Sequence, residues 1–218
     1  MWSSRLYWNG NGRRDIDDRI MSDLFVDNIK HQSSQGSGTI TLGTSGETIA
    51  LASGASVTGT GLVGITMADQ FRLSSSLSNP GNVTITTNFE RPDDATFNKI
   101  GTGMTESSGI FTFPETGLYL VSWTFVLLNL SDGAVSFYTS VSTDSGSSYD
   151  DVARGLTSNR NGTSAYNMGT TFAYVNVTNA STFRVKFRLD STTSDTTISG
   201  NTDYNVTHFT FIRLGDSQ

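Results

Sequence analysis

At 218 residues, 35% of them hydrophobic and 16% charged, the chain is long enough to bury a sizeable core and apolar enough to fold. A formal net charge of -6 excludes a broad phosphate-binding surface, and the absence of cysteine excludes a disulfide framework or a thiolate metal site. No apolar run approaches the ~20 residues that span a bilayer. Ser, Thr, Asn and 22 glycines favour strands with one wet face joined by tight turns.

In chain order, residues 1–20 (MWSSRLYWNGNGRRDIDDRI) form a compositional unit in which Trp2, Tyr7 and Trp8 precede a run of mixed charge. It reads as an anchoring peptide or a loosely held terminus. It lacks the apolar central segment of a signal peptide, so an extracellular role is expected through lysis or as part of a particle. Residues 21–64 carry a short strand or helix around Leu24-Phe25-Val26, then Ile40-Thr41-Leu42, Ile49-Ala50-Leu51 and Ser56-Val57-Thr58 at close to nine-residue spacing. Such segments are too narrow to bury an apolar face alone, which predicts a short β-stem shared between chains, with a Gly/Ser/Thr spacer as the alternative.

Residues 65–218 read as an all-β head. The chain crosses a junction with a helical turn at Ala68-Asp69-Gln70, then alternates as a strand from Val83 to Phe89 and turns at Arg91-Pro92-Asp93-Asp94. A short strand from Ile110 to Phe113 leads through Pro114-Glu115-Thr116-Gly117 into the strongest signal of the sequence, Leu118 to Leu128. Side chains on a strand repeat with period two, so Tyr119, Val121, Trp123, Phe125 and Leu127 share one face. Leu118, Leu120, Ser122, Thr124, Val126 and Leu128 share the other. Apolar residues on both faces require a cover on each: the core on one side, a second layer or another subunit on the other. Strands follow at Val135–Val141, Phe172–Val177, Phe183–Leu189 and Val206–Leu214, with a loop-rich excursion from Thr143 to Gly162. The spacing suits a β-sandwich whose core includes Phe113, Tyr119, Val121, Trp123, Phe125, Phe183, Val185 and Phe187.

Candidate chemistry is sparse. His31 and His208 are far apart in sequence and support no catalytic triad, so His208 reads as structural. Asp93-Asp94 and Asp150-Asp151 are adjacent pairs whose members point to opposite faces of a strand, which does not supply the facing carboxyls of a glycosidase; calcium is their weaker alternative. Arg184, Lys186 and Arg188 form a basic stripe, read as a solvated outer face in preference to a polyanion site. No cofactor, nucleic acid or membrane insertion is expected.

The run GIFTFPETGLYLVSWTFVLL and the closing strand THFTFIRLG resemble the globular heads of complement component one-q and its tumour necrosis factor relatives. The resemblance implies a jelly-roll sandwich working as a homotrimer. It also implies that Leu118, Leu120, Ser122, Thr124 and Val126, joined by His208, Thr210 and Ile212, face the three-fold axis. VDNIKH and GTITLGTSGETIALASGASVTGTG resemble the N-terminal and stem regions of tail-fibre-like proteins of bacteriophages, notably marine ones. Together these lead to the expectation of a non-enzymatic virion protein: a trimeric fibre on the particle surface, anchored to other virion proteins by its N-terminal segment. Its head would contact a host glycan or protein. The alternatives are a capsid decoration protein and a secreted bacterial adhesin or ligand-binding module.

Overall fold

The computed structural model describes residues 64–78, 80–129, 134–158, 165–190 and 196–218. The expected anchoring segment and all but the last residue of the expected stem lie outside the described residues. Among the described residues there is no helix. The strands are β1 (Ala68–Leu73), β2 (Ser75–Ser78), β3 (Val83–Thr84), β4 (Phe89–Glu90), β5 (Thr105–Ser107), β6 (Ile110–Thr112), β7 (Gly117–Asn129), β8 (Val135–Ser142), β9 (Asp150–Thr157), β10 (Ala165–Val177), β11 (Arg184–Asp190), β12 (Thr197–Asn201) and β13 (His208–Gly215).

These strands form two antiparallel sheets, one of seven strands and one of six. The larger is organised around β7. Along one edge of β7 runs β10, paired over its whole length; along the other run β13, beside the first half, and β12, beside Leu127 and Leu128. Beyond β13 lie β1 and β4, and beyond β12 lies β2. The smaller sheet runs β5-β6-β11-β8-β9, with β3 also paired to β11.

The alternation on β7 sets the core. Tyr119, Val121, Trp123, Phe125 and Leu127 point between the sheets and are fully buried, and Phe113, Phe183, Val185 and Phe187 are buried with them. The Trp123 ring lies 5.4 Å from Phe137 and from Phe187, and 5.7 Å from Phe209. Each such ring contributes about 1.5–3 kcal/mol through burial, with edge contacts adding to it. The packing leaves no room at two strand positions: a Cβ on Gly155 would overlap the Phe137 ring, and one on Gly169 would press into Phe125.

Four expectations are corrected. Ala68, Asp69 and Gln70 belong to β1 rather than to a helical turn, because they pair with Ile212, Phe211 and Thr210 across the sheet. Non-local pairing here overrides the weak strand propensity of Asp. The strand expected from Val83 to Phe89 is two short pieces in different sheets: Ile85 donates its N–H to Phe187, whereas Phe89 pairs with Leu73. Asn88, at φ 66°, makes the crossing in a left-handed conformation that Asn tolerates. The expected excursion from Thr143 to Gly162 contains β9, an edge strand paired to β8. The strand expected at Phe172–Val177 begins seven residues earlier, at Ala165.

The register also gives the sandwich a polarity. Ala68 is level with Ile212 and Leu120, and Gly215 with Leu118, so the described chain begins and ends near the Gly117 end of β7. At the opposite end Leu128 is level with Tyr166 and Thr197, Thr197 with Ser78, and Val135 with Thr157.

Candidate interaction surfaces

The outer face of the seven-stranded sheet is built from the even-numbered residues of β7. Leu118, Leu120, Ser122, Thr124, Val126 and Leu128 are half-buried. On one side the register sets Tyr174 beside Leu120, Phe172 beside Ser122, Thr170 beside Thr124, Met168 beside Val126 and Tyr166 beside Leu128. On the other it sets Ile212 beside Leu120, Thr210 beside Ser122 and His208 beside Thr124. The residues expected at a subunit contact therefore all lie on this one face. His208 bonds through Nδ1 to the Val206 carbonyl oxygen at 3.3 Å.

Neither β7 nor β10 carries a charged residue. Tyr166, Met168, Phe172 and Tyr174 are 73, 72, 61 and 64% exposed, making β10 a ridge of large side chains facing outward. On the far flank Ile100 and Leu214 are also exposed, Ile100 being bridged to Ala68 at the end of β1. Exposed apolar surface concentrated in this way makes the face a candidate for interaction. The sequence reading missed the β10 ridge. Its signal was Tyr166, Met168, Phe172 and Tyr174 alternating with Ala165, Asn167, Gly169, Thr171 and Ala173. The small residues face inward there, beneath Phe125 and Phe137, which inverts the usual large-in, small-out pattern.

The outer face of the six-stranded sheet is charged and internally paired. Arg188 reaches Asp151 at 2.5 Å and lies 3.9 Å above the Tyr138 ring; Lys186 lies 3.9 Å above the Tyr149 ring. Arg184 donates to the carbonyl oxygens of Phe183, Ser181 and Ala180. The bond from Arg188 holds the Asp151 carboxyl below its ordinary pKa, against the effect of burial, and Asp151 in turn raises that of Arg188. The basic stripe is thus engaged with its own surface.

A second charged network ties the chain after β4 to β1. Arg72, only 1% exposed, donates to Glu90 at 2.7 Å, Asp93 at 2.8 Å and Asp94 at 3.3 Å. Burial opposes its charge, but the bonds to Glu90 and Asp94 and the attraction of Glu90 and Asp93 outweigh it and raise its pKa. On the inner side Asp69, fully buried, accepts from Arg91 at 2.9 Å and from the Met104 N–H at 2.7 Å. The weak calcium candidates are thus distributed: Asp93 and Asp94 turn to Arg72, Asp151 to Arg188, and Asp150 starts β9. Among the described residues no three His, Cys, Asp or Glu side chains are grouped as metal ligands.

No family model matches the chain, and no curated protein matches it. Solved structures do. The structure of Eiger TNF from S. frugiperda aligns with a TM-score of 0.54 at 13% identity, covering 71% of this chain and 96% of that one. Murine APRIL at pH 8.5 aligns with a TM-score of 0.47 at 12% identity, over 68% of this chain and 98% of that one. At such identity the likeness to Eiger concerns the fold, and in fold the head is a TNF-like antiparallel jelly roll.

Proposed function

We propose that the chain is a non-enzymatic structural protein that assembles as a homotrimer through the outer face of its seven-stranded sheet and displays its head on a virion surface for contact with a host. The observation that carries this reading is the uncharged face formed by β10, β7 and β13. Its two flanks differ: the aromatic ridge of β10 on one side, and Ile212, Ile100 and Leu214 on the other. Self-association that joins unlike flanks is head-to-tail, and gives a ring when the rotation between copies closes and a filament when it does not. Three is the number implied by the resemblance to the complement and tumour necrosis factor heads.

The polarity of the sandwich supports display. The described chain starts near one end, while the strand ends at Ser78, Asn129, Thr157 and Asp190 lie at the other. Strand ends remote from the point of entry are where a rigid scaffold conventionally carries recognition. The bacteriophage assignment rests on the tail-fibre-like wording of residues 21–64.

Labelled particles test the location. Sparse label on tails or projections supports a fibre, dense label over the shell supports capsid decoration, and absence from particles sinks both. A hydrolysis screen on bacterial capsular and cell-wall polysaccharides tests the non-enzymatic reading, which turnover abolished by replacing Asp93 or Asp150 would overturn.

A further inference from the structure

The register of the seven-stranded sheet carries one apolar row across its outer face. Tyr174 on β10 is level with Leu120 on β7, Leu120 with Ile212 on β13, Ile212 with Ala68 on β1, and Ala68 with Ile100 on the segment after β4. Residues directly paired across strands share one side of a sheet, so all five lie on the outer face. The next row holds Phe172, Ser122, Thr210 and Gln70, and the one beyond it Thr170, Thr124, His208 and Arg72, so toward β1 both turn polar or charged. We propose that residues 97–104 form a strap that receives a second copy of this chain, the Tyr174 end of the row in one copy seating on the Ile100 end in the next, and that Asp69 is the positioning residue for the strap. This rests on the assembly reading above and gives it a register.

Both ends of the row are exposed and uncharged, Tyr174 at 64% and Ile100 at 46%, while the three residues between them are half-buried. A ring at one end and a branched aliphatic side chain at the other make a favourable pair when unlike flanks meet.

The strap is fixed from beneath. The Ile100 N–H donates to the Ala68 carbonyl oxygen at 2.9 Å, and the Ala68 N–H returns a bond to Ile100 at 3.2 Å. Gly101 and Gly103, at φ 69° and 75°, then turn the chain, and Lys99 donates to the Thr102 carbonyl oxygen at 2.7 Å. Asp69 holds the return: its buried carboxylate accepts from the Met104 N–H at 2.7 Å and from Arg91 at 2.9 Å, and Arg91 also donates to the Met104 carbonyl oxygen. Asp69 lies on the inner side of β1, so it reaches a neighbouring copy only through the strap. A Cβ on Gly103 would stand 2.6 Å from the Asp69 carboxylate, which leaves the strap no slack there.

The chain has no cysteine, so introduced thiols report position cleanly. Within one copy Tyr174 and Ile100 are four strand spacings apart, roughly 19 Å, which a short bis-maleimide does not span. With Tyr174→Cys and Ile100→Cys together in the full chain, a covalent trimer on a denaturing gel is expected. Either substitution alone should leave monomers, because a contact between unlike flanks brings neither residue to its own copy. Asp69→Asn should cut the cross-linked yield severalfold in folded protein, and Gly103→Ala, which displaces the strap without removing the carboxylate, should do the same. In dilution series read by light scattering, Asp69→Asn and Ile100→Ala should each raise the dissociation midpoint about tenfold, with no further rise when combined. Linked product from either single substitution, none from the pair, or additive effects of Asp69→Asn and Ile100→Ala would overturn the proposal. A trimer whose cysteine pair does not link sinks only the strap, whereas a wild-type monomer sinks the assembly and the strap together.

Discussion

The two outward faces of the sandwich solve the problem of exposure differently. On the six-stranded sheet, Arg184, Lys186 and Arg188 stand over Val185 and Phe187, and each cation has a partner of its own: carbonyl oxygens, the Tyr149 ring, and Asp151 with Tyr138. That face is finished as a solvent boundary. On the seven-stranded sheet the corresponding positions are leucine, valine, serine and threonine, flanked by four large side chains more than half exposed. The difference teaches that exposure alone does not define an interface; what does is apolar exposure with no charge and no internal partner to complete it.

The sharpest way to break the comparison is to put the same charge on each face. Phe172→Asp introduces a carboxylate into the proposed contact, repeated once per subunit, and should cost about 3–5 kcal/mol of assembly energy per copy. Leu156→Asp, on exposed β9 of the other sheet, should leave assembly intact. Sedimentation velocity distinguishes them, and equal behaviour would erase the distinction between the faces.

Trp123→Ala removes a fully buried ring touching both sheets and should cost about 3–5 kcal/mol, read as a lowered melting point with assembly retained below it. Dissociation at temperatures where the variant is still folded would mean that inner packing, not the outer face, decides assembly. Asp151→Ala takes a partly exposed partner from Arg188, and its effect should stay below about 1 kcal/mol and shrink with added salt.

The smallest effects are set by pH. Hydrogen bonds from Ser148 and Ser142 lower the Asp144 pKa to about 2, so its contribution is present above the unfolded value of 3.8 and is lost as pH falls through about 2. At the other extreme burial, with Glu115 nearby, pushes Tyr119 up to about 12, so its contribution is full below the unfolded value of 10 and is lost as pH rises toward 12. Melting curves should be flat between these windows; a midpoint that shifts strongly near neutrality would point to a titrating contact elsewhere.

How much of this was legible in the sequence follows from where the signal is local. β7, β8, β11 and β13 alternate large apolar with smaller or polar residues, so their position and their inward faces could be read directly. β1 could not, because Asp69 is acceptable in a strand only through Arg91 and the Met104 N–H, brought from more than twenty residues away. β2, β5 and β12 are short and polar, and their strand state comes from the neighbours they pair with. The outward face was legible on β7 and β13 but not on β10, where Gly169 points inward against the Phe125 and Phe137 rings and the large side chains point outward.

The central claim is that the uncharged face formed by β10, β7 and β13 is covered by other copies of the same chain. Multi-angle light scattering of the full chain, beside Leu120→Asp, tests it most directly. The account predicts a wild-type mass three times the 23.5 kDa of one chain and a folded monomer for the variant. A wild-type monomer, or a variant that still forms the trimer, would contradict it.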